Sequence, residues 1–324
     1  MSSTVGLATS PAPLIHARDA REAGLHPELR DTAIRVRKGV YTSRARWEAL
    51  PDWDKYLTRV HAFARTRPGA VFSHESAAAL WSLPLFGQPR DIHVFDARRS
   101  RSLRYGDVAV HTSEDRRTFD EHDGIRVTTP ADTVLDLSRC LPPAFALAVA
   151  DCALRSYGRD LTVDGLRSLA EGQRNIRGRA RIPWTLDRAD ARSESVGESV
   201  SRAVIEWWGF AAPVLQRVHV LRGRTYRSDF SWDDARVVGE FDGWSKYGDV
   251  ADDARRAVRA EKQRENDLTR SGWTVARWSF DDAIRGTGLR DALLSAGLRP
   301  CRPPQTARLH TIGHNPRSLH PVAG

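Results

Sequence analysis

The sequence predicts a mixed α/β protein of the α+β type, and three observations carry that expectation. Short runs of alternating apolar residues, such as Asp91-Ile92-His93-Val94-Phe95-Asp96 and Val108-Ala109-Val110-His111, read as half-buried strands. Capped runs of helical periodicity lie between them, as at Thr129-Pro130-Ala131-Asp132. Three successive strand patterns then sit between two helices in residues 194–280. The chain has 324 residues, which is about two domains by length, and no internal repeat. With 40% hydrophobic and 28% charged residues it can bury a core, which excludes wholesale disorder.

The elements follow in order. Residues 1–12 are small and Pro-containing and are expected to fray. Leu14 to Gly24 reads as a short helix stopped by glycine, and His26 to Ala33 as a second helical piece. Ile34 to Arg37 alternates as a strand and closes on Lys38-Gly39-Val40-Tyr41. Two short helices and a basic β element outline a winged helix or, equally, an ordinary small α+β lobe. Residues 53–171 read as one α+β domain. Its helices are Trp53 to Thr66, Ser73 to Leu83 with Ser73 as N-cap, Ala131 to Leu141 and Ala144 to Arg155. Its strands are Asp91 to Asp96, Val108 to His111 and Ile125 to Val127. His74 and His111 are scattered here and read as surface or capping groups.

Residues 172–193 carry Arg174, Arg177, Arg179 and Arg181 with little periodicity. These arginines could touch phosphates, but a solvated Arg-rich linker is the favoured reading. In residues 194–299 a helix from Glu194 to Gly209 sets Glu198 and Arg202 four apart on one face. Strands around Leu215 to Val220, Tyr226 to Trp232 and Arg236 to Gly243 follow. A long helix from about Ala251 to Ser271 comes next, then a closing strand, Trp273 to Trp278. Residues 300–324 lack periodicity and are expected to be a disordered tail.

Strand alternation places Asp229 on one face of the second strand and Glu240 with Asp242 on one face of the third. A hairpin turned at Asp233-Asp234 brings these carboxylates together. Two like charges about 4 Å apart repel by roughly 4 kcal/mol at an effective dielectric near 20. A divalent cation offsets that repulsion, and all-oxygen ligation without cysteine or clustered histidine points to Mg²⁺ or Mn²⁺ rather than zinc. Glu261, Arg264 and Glu265 lie at helical spacing on or beside the apolar stripe of the following helix, so they are expected to be paired or to face a site.

Composition adds boundary conditions. The formal net charge of +9 and a sequence pI near 10.0 favour polyanions, nucleic acid first. Only Lys38, Lys55, Lys246 and Lys262 are lysines, so 46 of the 50 basic residues are arginines. That bias fits genome composition, and part of the basicity is background. Residues 229–267 nevertheless hold 11 acids against 7 bases, an acidic island between basic flanks. No run of 18 apolar residues and no signal peptide are seen, and Cys140, Cys152 and Cys301 form no CxxC. A reducing cytoplasm and no membrane association are expected.

Two resemblances sharpen these readings. Ser195-Val196-Gly197-Glu198 with Arg202, Asp229, Glu240-Phe241-Asp242-Gly243, Glu261-Lys262-Gln263-Arg264-Glu265, Leu268, Gly272-Trp273 and Arg277 resemble the very-short-patch-repair-like endonuclease domains of the PD-(D/E)XK nuclease superfamily. The match covers about 90 residues and implies a C-terminal αβββαβ restriction-endonuclease-like sandwich. It implies that Asp229 and Glu240 hold the metal and that Glu198 adds a helix-borne carboxylate or holds an arginine in place. The superfamily's usual lysine, two residues after the acid, is here Asp242, so Lys246 or Lys262 would supply the positive charge. The front half, residues 13–156, resembles the AbiEi-type antitoxins through Arg35-Val36-Arg37-Lys38-Gly39-Val40-Tyr41, Ser73-His74-Glu75-Ser76-Ala77-Ala78, Gly124 to Pro130 and Leu135-Asp136-Leu137.

That resemblance implies a winged-helix-like lobe over residues 13–52 that binds DNA, with Arg30, Arg35, Arg37 and Lys38 on phosphates, and a cognate toxin or other partner protein. Arg202 and Arg264 are the expected DNA contacts of the second half. Three functions are weighed: a Mg²⁺-dependent DNA endonuclease in defence or repair, a non-catalytic DNA-binding regulator or antitoxin on a degenerate nuclease fold, and a pure protein-interaction module. Asp242 at the lysine position separates the first two.

Overall fold

The computed structural model describes residues 6–243 and 262–319. They form a mixed α/β protein that divides into two compact units. Of the described residues, the first unit takes those up to Leu141, Ser156–Asp187 and 315–319; the second takes Pro142–Arg155 and those within Arg188–His314. The lobe and the middle domain expected from sequence therefore belong to one unit, except for Pro142–Arg155, which falls in the other.

The first unit opens with a small antiparallel sheet of β1 (Ile15–His16), β2 (Ala33–Arg37) and β3 (Val40–Ser43) in the order β1-β3-β2. Gly39, with φ +79°, makes the β2–β3 turn that a side chain would strain. Two short helices, α1 (Ala17–Glu22) and α2 (Arg44–Ala49), flank the sheet. The second helical piece expected over His26 to Ala33 is only a 3₁₀ turn, Pro27–Leu29, and β2 already starts at Ala33. Residues 6–12 are not frayed: Ala12 is fully buried, and Ala8 donates its N–H to the Leu80 carbonyl at 2.8 Å.

A six-stranded mixed sheet follows. Its strands are β4 (Val71–Phe72), β5 (Ile92–Phe95), β6 (Leu103–Tyr105), β7 (Val108–His111), β8 (Phe119–His122) and β9 (Ile125–Thr128), in the order β6-β7-β5-β4-β9-β8. Its helices are α3 (Asp52–Thr66), α4 (His74–Leu80), α5 (Pro130–Cys140), α7 (Val163–Gly172) and α8 (Ile182–Leu186), while α6 (Pro143–Tyr157) supplies residues to both units. The α5 start follows its sequence signal: Thr129 Oγ1 accepts the Asp132 N–H at 3.3 Å, and Pro130 fills the first turn, where no N–H is needed. Ser73 stands at the α4 N-cap but makes no side-chain cap bond; its hydroxyl meets His74 Nδ1 at 3.1 Å instead.

Two loop expectations are corrected here. Residues 172–193 are not a solvated linker, because Ile182, Trp184 and Leu186 bury their apolar side chains. The carboxylate of Asp115 also accepts the Arg174 and Asn175 N–H groups at 2.6 and 3.0 Å. Residues 300–319 are not a disordered tail. Arg317 forms a two-armed ion pair with buried Glu75, Ser318 bridges to Pro89, and Asn315 donates to the Phe86 carbonyl at 2.8 Å. A buried carboxylate needs a partner, and no local pattern signals that this one lies 242 residues away.

In the second unit α9 (Val196–Trp207) precedes β10 (Val214–Leu221), β11 (Arg224–Trp232) and β12 (Val237–Asp242). A helix over residues 262–270, α10, leads into β13 (Thr274–Ser279), then α11 (Phe280–Arg285), α12 (Thr287–Ser295) and α13 (Thr306–Leu309). The sheet order is β10-β11-β12-β13, antiparallel twice and then parallel. Arg222 and Gly223, both at positive φ, form the tight β10–β11 hairpin that suits the strand twist. Phe230 and Trp278 stack at 5.3 Å in the core, and Trp278 donates its indole N–H to Ser201 Oγ at 2.8 Å. Gly239 lets that ring lie flat on β12, since a Cβ there would come within 2.5 Å of it. No helix among the described residues is long and apolar enough to cross a membrane.

Candidate functional site: two strand carboxylates and one from a helix

The site is assembled by α9, β10, β11 and β12. Ser195 caps α9 by accepting the Glu198 N–H at 3.1 Å, and Glu198 Oε2 reaches back to the Glu194 N–H at 2.9 Å. The pair works as a capping box displaced by one residue, so Glu198 has a structural duty whatever else it does. Gly197 brings the first turn of α9 onto the Phe241 ring; a Cβ at Gly197 would occupy the space of that ring. This close approach sets Glu198 over the β11–β12 edge.

The ladder between β11 and β12 pairs Trp232 with Val237, Ser231 with Val238 and Phe230 with Gly239. The next step of that register sets Asp229 opposite Glu240, on one face, as strand alternation predicts. There the Asp229 carboxylate enters: its Oδ2 accepts the Phe241 N–H at 2.9 Å. Glu240 is 6% exposed and pairs with Arg264 of α10. Burial raises its pKa, Arg264 opposes that and Asp229 adds to it, leaving Glu240 at about 7. Burial likewise raises Asp229, partly offset by the Phe241 N–H and Arg264, and raises Glu198, to which Asp229 contributes. Each of these carboxyls is therefore harder to ionise than an exposed one.

Gln216 completes the group and had no signal in the sequence. It sits in β10 at φ +53°, a backbone region that costs a non-glycine residue energy. Its Nε2 donates to Glu198 Oε2 at 2.9 Å, while its buried Oε1 has no partner. Tyr226, Gln263 and Arg224 converge on Asp267 at 2.6, 2.9 and 3.5 Å, and this network fixes α10 against β11. Arg264 also donates to the Arg227 carbonyl at 3.0 Å.

The other expected residues fall as follows. Asp242 is exposed, 3.5 Å from Arg277, and so turns from the cluster to a neighbouring strand. Lys262 begins α10 on the exposed side and, among the described residues, takes no part in the Glu240 cluster. Lys246 lies outside the described residues. Arg202 does not pair with Glu198 and is no surface phosphate contact. It is a largely buried partner of Asp151 at 2.8 Å, a carboxylate that burial raises to about 6 despite that arginine. Arg264 is engaged by Glu240 rather than displayed for DNA. In the first unit Arg30, Arg35 and Lys38 are exposed, whereas Arg37 is half-buried over the Phe63 ring and bonded to Asp107 at 3.0 Å.

The histidines expected to be scattered form a cluster. His74 stacks on His111 at 3.9 Å, and His93 Nδ1 meets His111 Nε2 at 2.9 Å. His93 also lies 3.3 Å from Glu75. Parallel pairing of β5 with β7 sets His93 and His111 in neighbouring strands, a juxtaposition their sequence separation hides.

A divalent cation fits this second-unit site by donor type, since its carboxylates offer only oxygen. Mg²⁺ is usually held by one or two carboxylates plus substrate phosphate. Among the described residues no group of three or more His, Cys, Asp or Glu is gathered to hold a metal. Asp229 and Glu240 are thus a two-carboxylate set, with the unpartnered Gln216 oxygen near Glu198.

Compared with known proteins, the chain is 33% identical over 270 residues to the uncharacterized protein MT2308 of Mycobacterium tuberculosis (strain CDC 1551 / Oshkosh), covering 83% of this chain and 93% of the relative. The figures are the same for the uncharacterized protein Rv2248 of Mycobacterium tuberculosis (strain ATCC 25618 / H37Rv). No family model and no solved structure matches the chain.

Proposed function

The chain belongs to the family that includes the Mycobacterium tuberculosis proteins MT2308 and Rv2248, and we propose that its second unit is a divalent-cation-dependent DNA endonuclease of the PD-(D/E)XK type. In this reading α9, the four strands and α10 are the αβββαβ sandwich of that superfamily. The observation that carries it is the meeting of Asp229 and Glu240 on adjacent strands, under Glu198 from the helix that opens the fold.

Asp229 and Glu240 would hold Mg²⁺ or Mn²⁺. When bound, the cation supplies acidification of a water and polarisation of the scissile phosphate. The protein's own part is positioning. The Phe241 N–H orients Asp229, Gln216 and the Glu194 N–H orient Glu198, and Arg264 sets a permanent positive charge beside Glu240. Arg264 takes the place of the lysine that Asp242 replaces, and its fixed charge is suited to stabilising negative charge that develops on phosphate. The first unit would bring duplex DNA through its winged-helix-like lobe, with Arg30, Arg35 and Lys38 on phosphates. A cognate toxin is the further partner class that the antitoxin resemblance implies.

A second reading rests on Asp242 and on the Glu240–Arg264 pair. If that pair neutralises the site for good, the protein is a DNA-binding regulator or antitoxin on a degenerate nuclease scaffold. Supercoiled plasmid incubated with Mg²⁺ or Mn²⁺ and either wild type or Asp229→Ala separates the two. The endonuclease reading expects nicking by wild type that Asp229→Ala abolishes. Equal nicking by both proteins, or none by either, overturns it.

A further inference from the structure

The first unit contains a cavity of about 430 Å³ that the endonuclease reading does not use. This lies within the 300–1,000 Å³ range of small-molecule sites. Among its described lining residues are five arginines and a single carboxylate, Asp136. The buried Arg117 is spent on that carboxylate, at 2.7 Å. Arg104, at the rim, leans on Asp91 at 2.8 Å.

Arg139 differs from these. Its guanidinium is held by the carbonyls of Asn175 and Arg177, each at 2.8 Å, and by Gln173 Oε1 at 2.6 Å, with no carboxylate bonded to it. Its buried Nε has no partner at all. Asp136 and Asp115 attract the guanidinium from a distance without bonding to it, and each of them is already bonded elsewhere, so the cavity wall keeps a cation whose nearest partners are dipoles. The loop that holds it is built closely: Gly178 takes φ +69° where a Cβ would strike the Arg139 carbonyl, and Asp115 pins the Arg174 and Asn175 N–H groups. That loop presents the exposed Arg177 to the cavity, and no hydrogen bond or ion pair of its side chain is found among the described residues.

The His74–His111 stack also lines the cavity. His74 holds its ring there from φ +51°, a strained setting for a residue without glycine's freedom. Burial first, and then the neighbouring cations and histidines, push both imidazoles toward the neutral form. Neutral rings give a flat surface and a hydrogen-bonding nitrogen without a net charge. Phe95, Leu103 and Val110 add apolar surface. A larger cavity of about 730 Å³ in the same unit differs, because no histidine is among its described lining residues and its Arg98 and Arg99 pair with Asp96 and its Arg126 with Glu121.

From this geometry we propose that the first unit binds a small phosphorylated organic molecule of about mononucleotide size. The phosphate meets Arg139 and Arg177, and the organic body lies against His74 and His111. Charge-assisted, forked bonds from arginine are the usual means of holding phosphate. The concavity favours a small anion over a duplex, which needs an exposed basic surface.

The test uses the full-length protein in isothermal titration and thermal unfolding at matched ionic strength. The probes are inorganic phosphate, ribose 5-phosphate, a panel of nucleoside mono- and diphosphates, and a short DNA duplex. Saturable binding of at least one phosphorylated organic probe is expected, tighter than inorganic phosphate. Arg177→Ala, an exposed change that leaves the fold intact, weakens it by about tenfold or more. Arg104→Ala weakens it less, and Arg18→Ala, remote from the cavity, not at all. Binding of duplex alone, equal response to phosphate and the organic probes, no saturable binding, or affinity untouched by Arg177→Ala overturns the proposal. Plasmid nicking is read separately with Asp229→Ala, so the two readings fail independently.

Discussion

The backbone N–H of Phe241 is donated to the Asp229 carboxylate at 2.9 Å. One step beyond the last ladder pair of β11 and β12, a side chain thus serves as the acceptor for a strand N–H. The bond fixes Asp229 beside Glu240, and the same Phe241 ring supports α9 through Gly197. Phe241 therefore couples the helix-borne and strand-borne carboxylates, although it carries no chemistry itself.

Gly197→Ala follows directly from that packing. The added methyl collides with the partly buried Phe241 ring, and overpacking of this kind costs about 1–3 kcal/mol. Thermal unfolding is expected to drop by several degrees. Phe241→Leu in the same chain should recover part of the loss, because the ring is the obstacle. A Gly197→Ala variant as stable as wild type would refute the close approach.

The end of the chain is expected to stabilise the first unit through Glu75 and Arg317. Arg317 and His93 hold Glu75 at about 2 although burial opposes its ionisation. Truncation after His314 leaves that buried charge without its arginine, a loss of about 3–5 kcal/mol for a broken buried pair. In a Glu75→Gln background the same truncation should cost clearly less. Equal losses in both backgrounds, measured by denaturant unfolding, would show that the pair is not what the tail provides.

Acid sensitivity should come in part from His111. Burial and nearby cations, with His93 first among its charged neighbours, lower it to about 3 from the usual 6.5. The unfolded chain therefore binds this proton at a pH where the folded chain refuses it. Stability from the neutral ring is complete above about 6.5 and falls as pH drops toward 3. At pH 5 the loss is about 2 kcal/mol, from 1.36 kcal/mol for each pH unit. His111→Asn is expected to be less stable than wild type at pH 7, with the gap narrowing toward pH 5. A constant gap across that range would contradict the buried neutral state.

Under the DNA-binding reading, Arg30, Arg35 and Lys38 are exposed and available, while Arg37 is engaged with Asp107 and Phe63. Replacing the first three with alanine should flatten the salt dependence of duplex binding by about 2–3 in log–log slope, near 0.9 for each phosphate contact. Arg37→Ala should instead lower the unfolding temperature. An unchanged salt slope in the triple variant would remove this lobe from the interface.

The sequence by itself determined the α+β class, most strand and helix positions, and the pairing of Asp229 with Glu240. Those follow from local rules: alternation sorts faces, caps start helices, and a hairpin sets the carboxylates across from each other. Only the tertiary structure decided that Arg202 answers Asp151, that Arg264 answers Glu240, and that Arg317 returns from the end of the chain to Glu75. It also decided that three histidines distant in sequence meet beside a cavity lined by Arg139, whose Nε has no hydrogen-bond partner. The reason is physical: a buried charge must find a partner, but any element the chain brings near can supply it. Periodicity records which face of an element is buried and carries no record of what will be packed against it.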